Sequence, residues 1–204
     1  MAKIQSVDYL DLPKKARDMR QKGQKLNSEM TNAYKLIDDM HKDWYGKRYN
    51  SLLTEFNNLT PQINEMLKLV VTDIPFAIET VANNYSQADR GQNAGSAQQT
   101  SCKKISNIAT KNDTGMKFIT SSVENTKKQV ETKFKNAKTA MNEINSIFSK
   151  VNWNSEAATA FKTKFSKLKQ NIDTSLDNIL HSFTTLMQQA ANDIASAEKA
   201  NTVS

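Results

Sequence analysis

The sequence predicts an all-α protein in which two tandem antiparallel helical hairpins form an elongated four-helix bundle. Three observations indicate this class. The 204 residues include 5 glycines and 3 prolines, few enough to favour long helices with short connections. Apolar residues recur at alternating intervals of three and four positions, as in helices that pack at shallow angles. The second half of the chain also repeats the apolar pattern of the first half.

The repeat is centred on the two tryptophans, Trp44 and Trp153, so its offset is 153 − 44 = 109 positions. Apolar positions of the first half return at this offset as apolar positions of the second half. Examples are Phe56 and Phe165, Leu59 and Leu168, Ile63 and Ile172, Leu67 and Leu176, and Ile74 and Phe183. An ungapped register of this length indicates a duplicated helical hairpin, with one tryptophan at the bend of each copy.

A small residue follows each tryptophan two positions later, Gly46 in the first copy and Ser155 in the second. We expect a tight helix-to-helix corner at both places, because a small residue lets the backbone turn while the indole fills the end of the hairpin. Both rings should be buried. The argument for burial is stronger for Trp153, since Ala157 and Phe161 follow it by one and two helical turns and can pack against its ring.

The first hairpin is predicted over residues 1–89. Its first helix begins at Pro13, because proline in the first helical turn loses no needed backbone donor. The second helix is expected over residues 47–88. Pro61 and Pro75 interrupt its pattern, and each removes a backbone donor and crowds the preceding turn. Kinks or a break are therefore expected in this helix.

A linker is predicted over residues 90–115. Its first part, residues 90–101, is rich in glycine and small polar residues and is expected to be flexible. Its second part, residues 102–115, fits either a helix or a loop. The second hairpin is predicted over residues 116–204, with its last helix over residues 155–198. It contains no proline, so it should be straighter than the first hairpin.

The net charge of +7 is concentrated in the linker and the second hairpin. Residues 1–89 carry 12 basic and 12 acidic side chains, whereas residues 116–204 carry 12 basic and 8 acidic ones. Lysine runs over residues 127–138 and 162–169 lack the interleaved exposed aromatics of a single-strand nucleic-acid binder. A solvated helix surface is therefore favoured over a nucleic-acid footprint, and contact with an anionic membrane stays open.

No motif of a catalytic, cofactor or metal site occurs in the sequence. It has no Gly-rich phosphate loop, HExxH or CxxC, and His41 and His181 lack companions at ligand spacing. The single cysteine, Cys102, excludes an internal disulfide. No apolar run approaches the roughly 20 residues that span a bilayer, and the first residues lack the apolar middle region of a signal peptide. We predict a protein that is not an enzyme and has no cofactor or small-molecule substrate.

A tyrosine and an acid spaced four positions apart, Tyr85 and Asp89, close the second predicted helix. Together with Trp44-x-Gly46 at the preceding corner, they resemble the WXG-motif family, the early secretory antigen-like substrates of type VII secretion. Family members are about as long as one of the predicted hairpins, so the resemblance covers most of the chain as two copies in tandem. It implies that Tyr85 and Asp89 form an export element, which acts with the Trp corner of a partner hairpin nearby.

The second copy departs from the family pattern. Its corner is Trp153-x-Ser155, and Ile194 and Glu198 occupy the positions of the tyrosine and the acid. The resemblance therefore assigns the export element to the first copy alone. Family members are usually single hairpins that dimerise, whereas this chain joins two. Because the tether raises their effective concentration, we expect a monomer that contains an intramolecular pseudo-dimer.

The resemblance implies a non-enzymatic secreted substrate, or a carrier or adaptor, of a type VII-like secretion system in a Gram-positive bacterium. Such a protein acts through helix–helix interaction and leaves the cytoplasm without a cleaved signal peptide. The implied partners are the secretion ATPase and a co-exported effector. The residues leave two alternatives open: a membrane-acting helical protein that exposes its apolar seams, and an intracellular helical adaptor or nucleic-acid-binding bundle.

Overall fold

The computed structural model of the chain describes residues 8–153 and 155–201. Over this part, the α-helices are α1 (Leu12–Asp39), α2 (Lys47–Lys68), α3 (Ile74–Arg90), α4 (Thr120–Ser149) and α5 (Glu156–Asn201). A 3₁₀ turn over Met40–Lys42 follows α1, and a π-helical turn over Leu69–Asp73 joins α2 to α3. The short strands β1 (Trp44–Tyr45) and β2 (Lys117–Phe118) pair antiparallel.

The helices form an elongated four-helix bundle, as the sequence predicts. The first hairpin is α1 against α2 and α3, and the second is α4 against α5; across the bundle, α1 packs on α4 and α2 packs on α5. Ion pairs fix the register of α1 on α4, with 2.9 Å between Lys22 and Glu143 and 3.3 Å between Glu29 and Lys133. One hydrophobic core contains residues of both hairpins.

The bundle has two distinct ends. At one end β1, which carries Trp44, pairs with β2, so α4 starts beside the corner of the first hairpin. We call this the Trp44 end. At the other end, α4 finishes at Ser149 and leads to Trp153, while the hydroxyl of Tyr9, just before α1, donates a hydrogen bond to Asp89 near the end of α3. We call this the Trp153 end.

Apolar positions related by the repeat occupy the core in both copies. The buried pairs are Phe56 and Phe165, Leu59 and Leu168, Ile63 and Ile172, Leu67 and Leu176, and Ile74 and Phe183. Periodicity predicts these positions because a helix that buries one stripe must place apolar side chains on it. Within the described residues, no helix is long and apolar enough to cross a membrane.

The two internal prolines have different consequences. Helix α2 continues through Pro61, so the break allowed by the sequence does not occur there. The regular helix is interrupted instead by the π-helical turn, and Pro75 lies in the first turn of α3 directly after it. The chain stays helical through this junction, where the N–H of Ile74 donates to the carbonyl of Leu69, so Pro75 lacks a donor that the preceding turn could have bonded.

The π-helical turn packs against a glycine of α1. A Cβ built on Gly23 would lie 2.6 Å from Cγ2 of Val71 and 3.0 Å from Cγ2 of Val70. Glycine therefore lets the two helices approach closely at the point where the second one bulges. This accounts for a glycine at a position where the apolar spacing of α1 calls for a larger side chain.

The connection between the hairpins is non-helical from Gly91 to Met116. This answers the question that the sequence leaves open for residues 102–115. Its central part runs in an extended path along the outside of the first hairpin, and this path includes residues 98–101, which were expected to be flexible. We call residues 98–111 the strap. Backbone carbonyls of the strap accept hydrogen bonds from side chains of α1, α2 and the π-helical turn, and backbone N–H groups of the strap donate to side chains of α2 and α3.

Candidate functional site

The first corner places Trp44 inside a cage of aromatic rings. Its side chain is 1% exposed. The ring stacks on Phe183 of α5 with centroids 5.9 Å apart, meets Phe118 of β2 edge to face at 5.4 Å, and lies 6.0 Å from Tyr49 of α2. Because these rings come from both hairpins, Trp44 joins the first hairpin to the second as well as filling its own corner.

Gly46 is required at this corner by its backbone conformation. Its φ of +111° and ψ of −170° lie in a region that is essentially restricted to glycine. A Cβ at this position would also lie 3.4 Å from the carbonyl oxygen of Gly115 and 3.4 Å from Cβ of Met116. Gly46 is therefore needed at this turn both for its backbone conformation and for its lack of a Cβ.

The second corner is more local. Trp153 is 8% exposed and its ring lies 6.0 Å from that of Phe161, two turns along. Both tryptophans are buried, as expected from the sequence, and Trp153 is the more exposed of the two. Two residues were expected to pack against its ring. Phe161 lies close to the ring, but Ala157 is exposed, and the buried alanine is Ala158.

Ser155 has a role at this corner that differs from that of a glycine. Its hydroxyl oxygen accepts a hydrogen bond from the backbone N–H of Ala158 at 3.1 Å, and its carbonyl accepts one from Thr159 at 3.0 Å. This is an N-cap of α5, in which a serine side chain satisfies a donor of the first turn. Across the described residues positive φ values occur at glycines alone, so Ser155 turns the chain without one.

The predicted export residues lie at the Trp153 end. Tyr85 is 38% exposed, on the part of α3 that faces away from the core. Asp89 is exposed one turn further on, and its carboxylate accepts a hydrogen bond from the hydroxyl of Tyr9. This hydrogen bond raises the pKa of Tyr9. Residues four apart on a helix share one face, so Tyr85 and Asp89 can be contacted together from solvent.

The equivalent positions of the second copy lie at the Trp44 end. Ile194 is half-buried and, with Trp44 and Asp193, lines a pocket of about 50 Å³. Glu198 follows it one turn later on the exposed end of α5. The last helix of the second copy thus ends beside the corner tryptophan of the first copy, while the last helix of the first copy ends at the Trp153 end of the bundle. The exposed phenol belongs to the first copy.

An ion pair ties the two hairpins together beside Trp44. Nε of Arg48, at the start of α2, donates to a carboxylate oxygen of Asp193 on α5 at 2.9 Å. This hydrogen bond lowers the pKa of Asp193 and raises that of Arg48, and both side chains are partly exposed. The pair links helix ends that are far apart in sequence.

Five of the nine lysines in the two lysine runs of the second hairpin form ion pairs with acids. The pairs within or across helices are Lys127 with Glu131, Lys133 with Glu29, Lys138 with Asp177, Lys164 with Glu65, and Lys169 with Asp173. Side chains paired in this way contribute little net field for phosphate binding. The arrangement favours a solvated helix surface over a nucleic-acid footprint.

The two histidines and the cysteine have different surroundings. His41 lies 2.8 Å from a carboxylate oxygen of Asp113, and His181 is exposed on α5. Burial raises the pKa of the Cys102 thiol, so this thiol is not activated as a nucleophile. Over residues 8–153 and 155–201, no cluster of three or more His, Cys, Asp or Glu residues is arranged to hold a metal ion.

The contacts of the strap were missed by reasoning from the sequence. They centre on Asn50, Asn57 and Asn64, which are spaced seven positions apart and share one face of α2. The spacing of these three asparagines is a signal that the sequence contains. Asparagine is a poor helix former, so its recurrence on one helix face indicates that the side chains are used for hydrogen bonding.

Comparison of the chain with family models, with curated proteins and with solved structures gave no match. Its function is therefore inferred from its own residues and their arrangement.

Proposed function

We propose that this protein is a non-enzymatic secreted substrate, carrier or adaptor of a type VII-like secretion system in a Gram-positive bacterium. The observation that carries the proposal is the position of Tyr85 and Asp89. They lie exposed on one face at the end of α3, at the same end of the bundle as the Trp153 corner of the other hairpin. The family that the sequence resembles implies this combination for two separate subunits.

The chemistry of the pair suits recognition by a protein. The phenol of Tyr85 offers an apolar ring with a hydroxyl that donates or accepts, and the carboxylate of Asp89 accepts hydrogen bonds. A basic, partly apolar groove on the secretion ATPase would bind both at once. Tyr9 already donates to Asp89 and so holds the carboxylate at the surface next to the phenol.

The packing of the two hairpins supports an intramolecular pseudo-dimer. The seams that would join two subunits are instead buried between α1 and α4 and between α2 and α5 of one chain. The protein would then leave the cell as a folded monomer without a cleaved signal peptide. A co-exported effector would bind its outer helical surface.

Export in a Gram-positive host, measured with and without the secretion ATPase, tests the proposal. We expect Tyr85→Ala and Asp89→Ala to abolish ATPase-dependent secretion while the purified variants keep the helicity and melting temperature of the wild type. Tyr9→Phe is the matched control, because it removes the donor to Asp89 and leaves the carboxylate in place; it should be exported.

Deletion of residues 199–204 provides the opposite control and should leave secretion intact. Export that survives in Tyr85→Ala but is lost on this deletion would show that the last helix carries the signal. Secretion that does not depend on the ATPase would contradict the proposal as a whole.

A further inference from the structure

The strap lies in the groove along α2 and is held there chiefly by its main chain. Three asparagines of α2 each use their carboxamide twice: the NH₂ donates to the carbonyl of one strap residue, and the oxygen accepts the N–H of the same residue. The pairs are Asn64 with Ile105 at 2.9 and 2.8 Å, Asn57 with Ile108 at 2.9 and 2.8 Å, and Asn50 with Lys111 at 2.8 and 3.2 Å.

The spacing of this asparagine ladder matches an extended chain. Seven helical residues separate neighbouring asparagines, which is about 10.5 Å along α2. Three strap residues separate their partners, which is about 9–10 Å in an extended chain. The spacing of the asparagines therefore matches the spacing of their partners along the strap, which runs antiparallel to α2. Since the asparagines bond main-chain atoms, the ladder fixes the register of a bound chain without selecting its side chains.

Selection comes from every third side chain. Ile105 is 6% exposed and Ile108 is 7% exposed, whereas the residues between them, Ser106 and Asn107, are exposed. At the end of the ladder the ammonium of Lys111 lies 2.7 Å from the carboxylate of Asp38. The groove thus accepts aliphatic side chains three residues apart and leaves the intervening positions free.

Contacts continue beyond the ladder to the other end of the strap. Asn27 of α1 donates to the carbonyl of Lys103 at 2.9 Å, and the hydroxyl of Thr72 donates to the carbonyl of Thr100 at 2.5 Å. These bonds also go to the main chain of the strap.

A largely buried ion pair clamps the first strap residue. Arg20 and Glu79 form a bidentate pair. The same guanidinium donates to the carbonyl of Gln98 at 2.8 Å, and the N–H of Gln98 donates to the carboxylate of Glu79 at 3.1 Å. A donor and an acceptor are thus presented together to the main chain of one residue. The first hairpin offers main-chain contacts along the whole groove.

We propose that this groove is a binding site for extended peptides with two aliphatic side chains three residues apart, and that the strap is its resident occupant. The ligand is an extended segment of another polypeptide, which binds when the strap leaves the groove. The inference goes beyond the proposed secretion role and does not depend on it. The groove chemistry supports it, because main-chain recognition along a ladder is indifferent to which chain supplies the peptide.

A full-length chain with a weakened strap tests the proposal. Ile105→Ser together with Ile108→Ser removes the two buried side chains and leaves the main chain intact. The probe is a fluorescent peptide with the sequence of residues 103–113, and binding is measured by anisotropy. We expect binding to the double variant, and at least about tenfold weaker binding to the wild type, because the tethered strap competes at an effective concentration on the order of millimolar.

Matched variants of α2 separate the ladder from general folding. In the double variant, Asn57→Ala should weaken peptide binding by about 10- to 50-fold, since two hydrogen bonds are lost. Asn58→Ala changes the adjacent, exposed asparagine and should leave binding unchanged. A peptide with serine in place of both isoleucines should not bind, whereas alanine in place of Ser106 and Asn107 should be tolerated.

A folded double variant that does not bind the peptide would overturn the proposal, as would equal losses from Asn57→Ala and Asn58→Ala. If the double variant does not fold alone, the peptide should restore its helicity, and failure to do so would also overturn the proposal. Faster modification of Cys102, which lies half-buried at the strap, should report that the strap has left the groove in the double variant.

Discussion

Trp44 packs against rings of Tyr49, Phe118 and Phe183, whereas Trp153 packs against Phe161 of the helix that follows it. The two tryptophans occupy the same position of a repeated sequence, yet one joins the hairpins and the other closes a single corner. The difference arises from the connection between the copies. The chain returns to the first corner to form β2 and start α4, and no such segment returns to the second corner among the described residues.

The small residues of the two corners also have different roles. Gly46 supplies a backbone conformation that other residues adopt at a cost, while Ser155 supplies a side-chain cap. The two copies of the motif therefore have a small residue at the same position for different physical reasons. Mutations at paired positions should separate these reasons, and the following predictions are ordered by expected effect.

Removal of the indoles should give the largest difference. We expect Trp44→Ala to lower the free energy of unfolding by about 4–5 kcal/mol and Trp153→Ala to lower it by about 3 kcal/mol, because the first ring leaves the larger cavity among packed neighbours. Urea denaturation monitored by circular dichroism measures both. A smaller loss for Trp44→Ala than for Trp153→Ala would contradict the distinction between the corners.

Substitution of the small residues should give the next effect. Gly46→Ala should cost about 2–3 kcal/mol, since the backbone region is strained for any residue with a Cβ. Ser155→Ala should cost about 1 kcal/mol through loss of the cap, and Ser155→Asp, which keeps a capping oxygen, should cost less. Thermal melts of the three variants measure this. If Ser155→Asp is as destabilising as Ser155→Ala, capping is not the role of Ser155.

The smallest effect should come from the ion pair beside Trp44 and should depend on pH. The pKa of Asp193 is lowered by its hydrogen bond with Arg48, so this pair stabilises the fold above the ordinary aspartate pKa of 3.8, and the stabilisation is lost as the pH falls through the lowered value. We expect Asp193→Asn to melt below the wild type at pH 7, and the two melting temperatures to converge at acidic pH. A constant difference down to pH 2 would exclude this linkage.

The sequence was sufficient for the helices and the core. Pairs such as Phe56 with Phe165 and Ile63 with Ile172 were predicted by period and repeat, and all four are buried. Burial of one helical stripe leaves a periodic signal, and so this part of the fold can be predicted locally.

The remaining features depend on contacts between distant segments. The aromatic cage of Trp44 includes Phe118 and Phe183, which no local pattern connects to it. Most of the strap lies in residues 102–115, which the sequence leaves open between helix and loop. Side chains of α2 satisfy its main chain, and main-chain bonding leaves little trace in the sequence of the strap itself. Tyr85 and Asp89 were named from a resemblance; the structure places them at the surface, and their role in export stays a prediction.

Under the proposed function, the secretion ATPase contacts the Trp153 end of the bundle and not the Trp44 end. A photo-crosslinking phenylalanine derivative placed at Tyr85, or at Ile194 as its counterpart at the Trp44 end, measures this directly in cells during export. We predict a crosslink to the secretion ATPase from position 85 and none from position 194, which is half-buried beside Trp44. A crosslink from position 194 alone would contradict the account.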